Sequence, residues 1–375
     1  MASLLRWART AIRRAPSPPA LFPTSGFETI HASEVIEEER FEGFKKGRYY
    51  PVNIGEVFSS KYQVVGKLGF GVTSTVWLAH DLQDHRYVTL KVYTCNETSQ
   101  EEFQIYKYLS QMNTSHSGYA HVRAALDAFT IHRASENSHH CLVQKPMWES
   151  FGDLLFRNPE HRFTEDLLKA GLMQVFLALD YLHSECKLVH TAEMKHPSPR
   201  KFTEGGPVYA SRHFDLPRNF GKAVLSDCGS APNVYRSPGV TLKTEWSYPV
   251  DIWNVGAMVW DLFEDRHMFY GNDPDGKGYS TRAHFAEVIG VLGPPPLDML
   301  ERGKRSHEFF DEDGKWRITV EIPRDSSLEN LEQYLEGRNK EMFMHFMRGM
   351  LQWRPQDRKT AKELLRDPWL NADLT

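Results

Sequence analysis

Two glycines and a pair of charged side chains occur at spacings suited to binding phosphate. Gly69 and Gly71 lie between two runs of alternating apolar residues and form the tip of a predicted β-hairpin. Because glycine has no Cβ, the backbone there can come close to a phosphate. Lys91, on the third predicted strand, can reach the same phosphates, and Glu102 on the following helix can form an ion pair that holds Lys91. A tight hairpin that binds no ligand has the same glycine pattern, so both interpretations stay open.

A later aspartate is suited to holding a metal ion. Asp227 lies in "LSDCGSA", at the end of an apolar predicted strand. Its carboxylate would hold a Mg²⁺ ion that bridges the β- and γ-phosphates of a nucleotide. An Asp-x-Gly sequence also forms simple turns, and this alternative stays open as well.

The elements that must position these residues follow from the spacing of the apolar positions. "KYQVVGKLGFGVTSTVWLAHD" predicts the hairpin, "RYVTLKVYT" a third strand, and "HHCLVQKPM" further strand structure. "SQEEFQIYKYLSQM" predicts a helix whose apolar face contains Phe103, Tyr106, Leu109 and Met112. "TEDLLKAGLMQVFLALDYLHSEC" predicts a long helix with Thr164 as N-cap and an apolar stripe through Leu168, Leu172, Val175, Leu179 and Leu182. The order predicts an α+β protein in which a small β-rich lobe with one major helix precedes a larger, mainly helical lobe.

Composition bounds the class of protein. A chain of 375 residues, 41% hydrophobic and 25% charged, can bury a sizeable core in one two-lobed domain or two ordinary ones. The net charge of −4 and the absence of a long apolar run predict neither direct nucleic-acid binding nor membrane insertion. The scattered cysteines predict free thiols and no structural metal; they are Cys95, Cys141, Cys186 and Cys228.

The first 56 residues differ from the rest. Residues 1–27 are basic and proline-rich, with arginines and apolar residues at helical spacing and no acid before Glu28. This composition fits either a mitochondrial transit peptide or a disordered basic tail. Residues 28–56 are predicted to form an acidic, weakly structured linker to the first strand.

From about residue 48 to residue 370 the sequence resembles the eukaryotic protein kinases, and among them the SR-protein kinases, especially the fungal ones. The stretches that carry the resemblance are "YYPVNIGEVFSSKYQVVGKLGFGVTSTVWLAHD", "LVHT", "YPVDIWNVGAMVWDLFEDRHMFYG", "VIGVLGPPP" and "MLQWRPQDRKTAKELLRDPWL". The resemblance implies a two-lobed kinase fold, with the N-lobe and hinge at 57–147 and the C-lobe at 148–370. It also implies transfer of the ATP γ-phosphate to serines of Arg/Ser-rich proteins, in the cytoplasm and nucleus, as part of mRNA splicing regulation.

The resemblance assigns roles to individual positions. The ATP site would comprise Lys91, its partner Glu102, the carbonyl of Lys145 and the N–H of Met147 at the hinge, and the glycine-loop residues Leu68, Gly69, Phe70, Gly71 and Val76. Asp227 would hold Mg²⁺, and Asp251 would tie the catalytic loop to the central buried helix.

The sequence departs from the family where the chemistry is performed. After "HT" the family has an aspartate that accepts the substrate proton, then a lysine, then a metal-binding asparagine; the corresponding positions here are Ala192, Met194 and Pro197. The methyl group of Ala192 accepts no proton, the thioether of Met194 carries no charge, and the ring of Pro197 offers no metal ligand. Glu193 is one residue away, and in an extended loop its side chain would face the opposite side. Loss of the base alone should lower the rate by about 10²- to 10⁴-fold.

The segment after Asp227 is also shortened. "YRSP" follows it closely, and Gly239 replaces the glutamate that in the family pairs with an arginine, here Arg358. "AEMKHPSPRK" resembles a connector that fungal relatives carry after the catalytic loop, so "HTAEMKHPSPRK" is interpreted as a junction from which residues are missing. A splice form, a faulty gene model and a catalytically dead pseudokinase that keeps a nucleotide or docking site remain as alternatives to an active kinase. The "HT" pair also lacks the arginine that senses a phosphorylated activation loop, which predicts no switch of that kind.

Two acidic loops are candidates for docking a basic substrate. They contain Asp273, Asp275, Asp311, Glu312 and Asp313. Solvated loop charges are the alternative interpretation.

Overall fold

The computed structural model of the chain describes residues 15–23, 30–31, 34–95, 97–132, 138–147, 150–190, 222–226 and 233–372. These residues divide into two compact units. The first unit contains the described residues up to Gln111 and those from Arg123 to Met147; the second contains residues 112–122 and the described residues from Ser150 onward. The α+β class and the order of a β-rich part before a helical part are confirmed.

The core of the first unit is one antiparallel sheet of six strands in the order β1-β2-β3-β4-β6-β5. Its strands are β1 Val57–Phe58, β2 Tyr62–Phe70, β3 Ser74–Asp81, β4 Arg86–Tyr93, β5 Ala125–His132 and β6 Ser138–Gln144. The sequence did not predict β5, because as an edge strand it buries little apart from Ile131 and lacks a clear alternation. The predicted hairpin is confirmed as β2 and β3, with Gly69 opposite Val76.

Two helices of the first unit flank the hairpin in sequence. They are α1 Glu42–Lys45 and α2 Glu97–Leu109. Phe103, Tyr106 and Leu109 are buried as predicted. The helix ends at Leu109, so the prediction that Met112 belongs to its apolar face is wrong; Met112 begins the segment that joins the second unit.

The segment predicted as a weakly structured acidic linker is folded where the structure describes it. A 3₁₀ turn at Glu37–Arg40 precedes α1, and Glu38 and Glu39 are buried. The ammonium of Lys67, on β2, forms ion pairs with Glu37 at 2.9 Å and with Glu38. The acidic composition of the segment could not reveal that it is folded, because Glu38 is buried through its ion pair with Lys67, which lies 29 residues away in the sequence.

Part of the predicted basic tail is docked on the first unit. The N–H of Ser17 donates to the carbonyl of Leu82 at 2.7 Å. The side-chain amide of buried Gln63 pairs reciprocally with the backbone of Ala20, at 2.7 and 2.8 Å. Residues 15–23 therefore satisfy polar groups of the folded sheet rather than belonging to a free tail.

The second unit is mainly helical. Its helices are α3 Phe151–Arg157, α4 Glu165–Ser184, α5 Pro238–Leu242, α6 Pro249–Phe263, α7 Thr281–Leu292, α8 Leu297–Arg302, α9 Leu328–Leu331, α10 Gly337–Met350, α11 Ala361–Leu364 and α12 Pro368–Asn371. Thr164 caps α4 as predicted, and the whole predicted stripe of that helix is buried. In the described part of the chain, no helix has the length and apolar character needed to cross a bilayer.

Residues 112–122 belong to the second unit, although the sequence placed them in the N-lobe. Their 3₁₀ turn, Ser117–His121, packs against α4, where Tyr119 contacts the ring of Tyr181 edge-on. A Cβ on Gly118 would lie 1.9 Å from the carbonyl oxygen of Leu177, so only glycine permits this approach. Among the described residues up to Ser150 the chain therefore passes between the two units three times, which a single boundary at residue 147 does not describe.

We predict that residues 15–23 stabilise the first unit. Deleting residues 1–23 should lower its free energy of unfolding by about 1–3 kcal/mol, because the buried Gln63 amide loses both hydrogen bonds with Ala20 and keeps only the one of 3.3 Å to the carbonyl of Gly55. Deleting only residues 1–14 is the matched control and should change stability little. Urea unfolding of both truncations measures the difference, and equal midpoints would contradict the prediction.

Candidate functional site

The structure brings Lys91 and Glu102 together in the first unit. The ammonium nitrogen of Lys91 lies 2.6 Å from a carboxylate oxygen of Glu102 on α2. Lys91 is largely buried on β4, between Val76 of β3 and Leu142 of β6 in the sheet register. A cation held this way has a defined position and can serve as a fixed anchor for phosphate.

The two glycines at the hairpin tip adjoin open space. Among the described residues, a Cβ on Gly69 would meet no atom within 4 Å, and one on Gly71 would meet only the carbonyl oxygen of Ser74 at 4.0 Å. Packing within the chain therefore does not require glycine at either position. Room for a closely approaching ligand accounts for both glycines, and this favours the phosphate-binding interpretation over the simple tight hairpin.

The predicted hinge residues follow β6. Arg123 donates a long hydrogen bond of 3.4 Å to the carbonyl of Lys145, which leaves the second lone pair of that oxygen for another donor. Met147 is half-buried. The side chain of Gln144, which precedes the hinge, is buried, and its amide has no hydrogen-bond partner among the described residues.

These features fit a nucleotide. Open space at the glycines, an anchored cation and an orphaned amide beside a hinge carbonyl match phosphates at one end and a polar base at the other. Sequence reasoning missed Gln144, because nothing in its spacing distinguishes a buried amide without a partner from one that is satisfied.

In the second unit, Asp251 ties two segments together as the sequence predicted. Its carboxylate is buried at the start of α6 and accepts a hydrogen bond of 2.8 Å from the backbone N–H of His190. The imidazole Nε2 of His183, at the end of α4, lies 2.9 Å from the same oxygen. The backbone that leads into "HT" is thus fixed, and His183 is a partner that sequence reasoning did not identify.

The described segment that precedes Asp227, residues 222–226, is held by the same region, and it forms an isolated β-bridge at Leu225 instead of the predicted strand. The ring of His190 donates to the carbonyl of Ser226 at 3.0 Å, and the N–H of Leu225 donates to the carbonyl of His121 at 2.8 Å. Gln174 of α4 accepts from the N–H of Ala223 at 2.8 Å. Asp227 itself, Ala192 and Glu193 lie outside the described residues, so their predicted roles stay predictions.

Arg358 is buried without a carboxylate partner among the described residues. It donates hydrogen bonds of 3.0 Å to the carbonyls of Gln352 and Pro249 and one of 3.3 Å to the carbonyl of Trp353. Burial lowers the pKa of Arg358 to about 9. Since the folded pKa lies below the unfolded one, the buried charge costs stability at every pH below about 9, and the cost falls as pH rises further. The lack of a carboxylate partner for Arg358 among the described residues agrees with the prediction that Gly239 stands where the family has the glutamate that pairs with this arginine.

The acidic loops are largely paired within themselves. Asp273 is buried against Arg282, with oxygens at 2.6 and 2.7 Å, and this arginine lowers the pKa of its carboxyl. Asp313 contacts the ammonium of Lys315 at 3.0 Å, and Asp311 accepts from the N–H of Lys315. The structure therefore favours local loop charges over a docking site, most clearly for Asp273.

Comparison with known proteins gives consistent matches. A profile of the protein kinase domain matches residues 214–370. A serine/threonine protein kinase of Aspergillus fumigatus is 44% identical over 384 aligned residues, which cover 96% of this chain and 97% of the relative. Protein kinase dsk1 of Schizosaccharomyces pombe is 37% identical, covering 89% and 85% of the two chains. The serine/threonine-protein kinase SRPK of Physarum polycephalum is 27% identical, covering 89% and 91%.

These alignments are longer than the chain itself. They extend over 384, 465 and 393 positions, whereas the chain has 375 residues. Each relative therefore has residues at positions where this chain has none.

We predict that the tip glycines matter for ligand binding rather than for folding. Replacing both Gly69 and Gly71 by alanine should change the free energy of unfolding by less than about 1 kcal/mol and weaken Mg·ATP binding at least about tenfold, because the new methyl groups occupy the open space. Gly118→Ala is the matched control and should destabilise the fold strongly. Calorimetric titration and thermal unfolding measure both effects, and unchanged affinity would contradict the prediction.

We predict that only arginine satisfies the site of Arg358. Arg358→Lys should lower the free energy of unfolding by about 2–3 kcal/mol, because one ammonium cannot reach three carbonyls that a planar fork contacts. Arg366→Lys, at an exposed position, is the control and should change it by less than about 0.5 kcal/mol. Urea unfolding compares the two, and equal effects would refute this account.

Proposed function

The chain belongs to the protein kinase family, within its SR-protein kinase type, and on this premise we propose that its first unit binds ATP at the glycine hairpin, Lys91 and the hinge. The observation that carries the proposal is the 2.6 Å ion pair between Lys91 and Glu102 beside glycines that adjoin open space. An anchored cation next to an unobstructed backbone is the arrangement that phosphate binding requires.

Within this proposal each residue has a separate task. Lys91 binds the α- and β-phosphates, and Glu102 keeps its ammonium in position. The carbonyl of Lys145 and the N–H of Met147 bind the adenine edge. Protein kinases use Mg²⁺ with ATP, and Asp227 is the residue we propose as its ligand. ATP supplies the phosphoryl group that a kinase transfers to a hydroxyl.

We propose that phosphoryl transfer by this chain is slow or absent. Serine/threonine kinases orient the substrate hydroxyl with a carboxylate, and Ala192 has none at that position. The proposed substrates, serines of Arg/Ser-rich proteins, follow from the family. A nucleotide-binding module without transfer is the second candidate, and the same missing carboxylate favours it.

Nucleotide binding and transfer can be measured separately on the purified chain. At 100 times its dissociation constant, Mg·ATP should raise the free energy of unfolding by about 2.7 kcal/mol, and Lys91→Met should abolish this gain. Phosphate incorporation into an Arg/Ser peptide should be at least about 10²-fold below that of the Aspergillus relative. No stabilisation by ATP would overturn the binding proposal, and comparable incorporation would overturn the module.

We predict that restoring one aspartate does not restore transfer. Ala192→Asp should leave peptide phosphorylation unchanged, because the residues that follow belong to a later connector and do not form the loop. Replacing residues 190–193 with a complete catalytic loop that contains the aspartate, the lysine and the asparagine of the family should raise it. Transfer recovered by Ala192→Asp alone would contradict the junction interpretation. Sequencing the transcript across codons 190–193 and 230–234 would test whether a longer message exists.

For location, the cytoplasm and nucleus are proposed from the family resemblance, and mitochondrial import is the alternative that the arginine-rich first 14 residues suggest. Imaging the chain with a C-terminal fluorescent tag, with and without residues 1–14, separates these alternatives. Mitochondrial signal that disappears in the truncated chain would support import.

A further inference from the structure

The tip of the glycine hairpin is held by a tyrosine from the segment that precedes the sheet. The hydroxyl of Tyr49 lies 2.7 Å from the carbonyl oxygen of Gly71 and 2.9 Å from that of Val72. Tyr49 is 7% exposed, so water does not compete readily for these bonds. Burial, with a smaller contribution from the charge of Glu38, raises the pKa of Tyr49, so its hydroxyl stays a donor at neutral pH.

Fixing these two carbonyls also fixes two N–H groups. In a planar trans peptide the carbonyl and the following N–H point in opposite directions. When the carbonyls of Gly71 and Val72 face Tyr49, the N–H groups of Val72 and Thr73 face away from it. Neither N–H donates to another described residue. Both N–H groups are therefore available to donate to a ligand on the side away from Tyr49.

Tyr49 is in turn held by contacts along its own segment. Glu37 and Glu38 pair with Lys67 on β2, and the rings of Phe41 and Phe70 lie 5.9 Å apart. After them, the carbonyl of Arg48 accepts from the N–H of Cys95 at 3.0 Å, just beyond β4. Residues 37–49 therefore form a brace that contacts the hairpin at β2 and at its tip, and contacts the chain just beyond β4.

The opposite side of the tip is held independently. The N–H of Thr94 donates to the carbonyl of Thr73 at 2.8 Å, and the N–H of Gly71 donates to the carbonyl of Ser74 at 2.8 Å. These bonds close the turn but do not involve the carbonyls of Gly71 and Val72. Tyr49 is the residue that contacts those two carbonyls and so orients the Gly71–Val72 and Val72–Thr73 peptides. The hydroxyl of Tyr49 is thus the contact that aims the two N–H groups.

We propose that Tyr49 is a positioning residue that aims the N–H groups of Val72 and Thr73 at the phosphates of a nucleoside triphosphate. This inference rests on the proposed ATP binding by the first unit. The brace reduces the motion of a glycine-rich tip, which would otherwise have to be ordered at the moment of binding.

The test removes one oxygen atom. Tyr49→Phe keeps the ring and loses both hydrogen bonds, and it should weaken Mg·ATP binding about 5- to 10-fold while leaving adenosine binding unchanged, because adenosine has no phosphate. Tyr50→Phe is the matched control: its hydroxyl donates to Glu56 at 2.7 Å, away from the tip, and both affinities should stay at the wild-type level. Equal loss of ATP and adenosine affinity would overturn phosphate positioning.

A second measurement needs no nucleotide. The ¹⁵N NMR order parameters of the Val72 and Thr73 amides should be near 0.85 in the wild-type chain and should fall in Tyr49→Phe toward values below about 0.6. Unchanged order parameters together with unchanged ATP affinity would refute the role of Tyr49. If the wild-type chain binds neither ATP nor adenosine, the proposed function fails, whereas loosened amides in Tyr49→Phe would still establish the brace.

Discussion

A charge that leaves water must be satisfied by the chain, and this constraint organises both units around their candidate functional residues. The buried carboxylate of Asp251 accepts hydrogen bonds from the N–H of His190 and from the imidazole of His183. These bonds fix the backbone leading into "HT". The buried ammonium of Lys67 forms ion pairs with Glu37 and Glu38, and these ion pairs attach the brace to the hairpin. Because breaking such an interaction leaves an uncompensated buried charge, these contacts resist rearrangement.

The same constraint holds the frame around the candidate site without help from the residues that would perform phosphoryl transfer. Lys91, Glu102 and Asp251 keep their partners, and those partners also satisfy buried groups and hold secondary structure. Arg358 has lost the glutamate that the family uses and is satisfied by three carbonyls instead.

Periodic segments were predicted well and irregular ones poorly. The hairpin and α4 were predicted because their apolar positions repeat with periods that belong to one strand and one helix. The folded state of residues 34–56 and the packing of 112–122 on α4 were not predicted, because they depend on Lys67 and on the backbone of Leu177 rather than on local pattern. The same holds for the candidate site. Lys91 and Glu102 were predicted because they are charged residues in a recognisable motif, whereas Gln144 and Tyr49 were identified only from their contacts in the folded structure.

The sequence by itself determined the family, because its motifs follow one another in the family's order, and it predicts a missing general base, because the alanine at position 192 has no group that accepts a proton. Which of the remaining residues lie together was decided only by the tertiary structure, as in the ion pair of Lys91 with Glu102. The contact between Tyr49 and the carbonyl of Gly71 joins residues 22 positions apart, and its geometry depends on how a strand, a turn and a preceding segment pack together. Neither tyrosine nor glycine as a residue type determines the geometry of this hydrogen bond; the path of the folded backbone determines it.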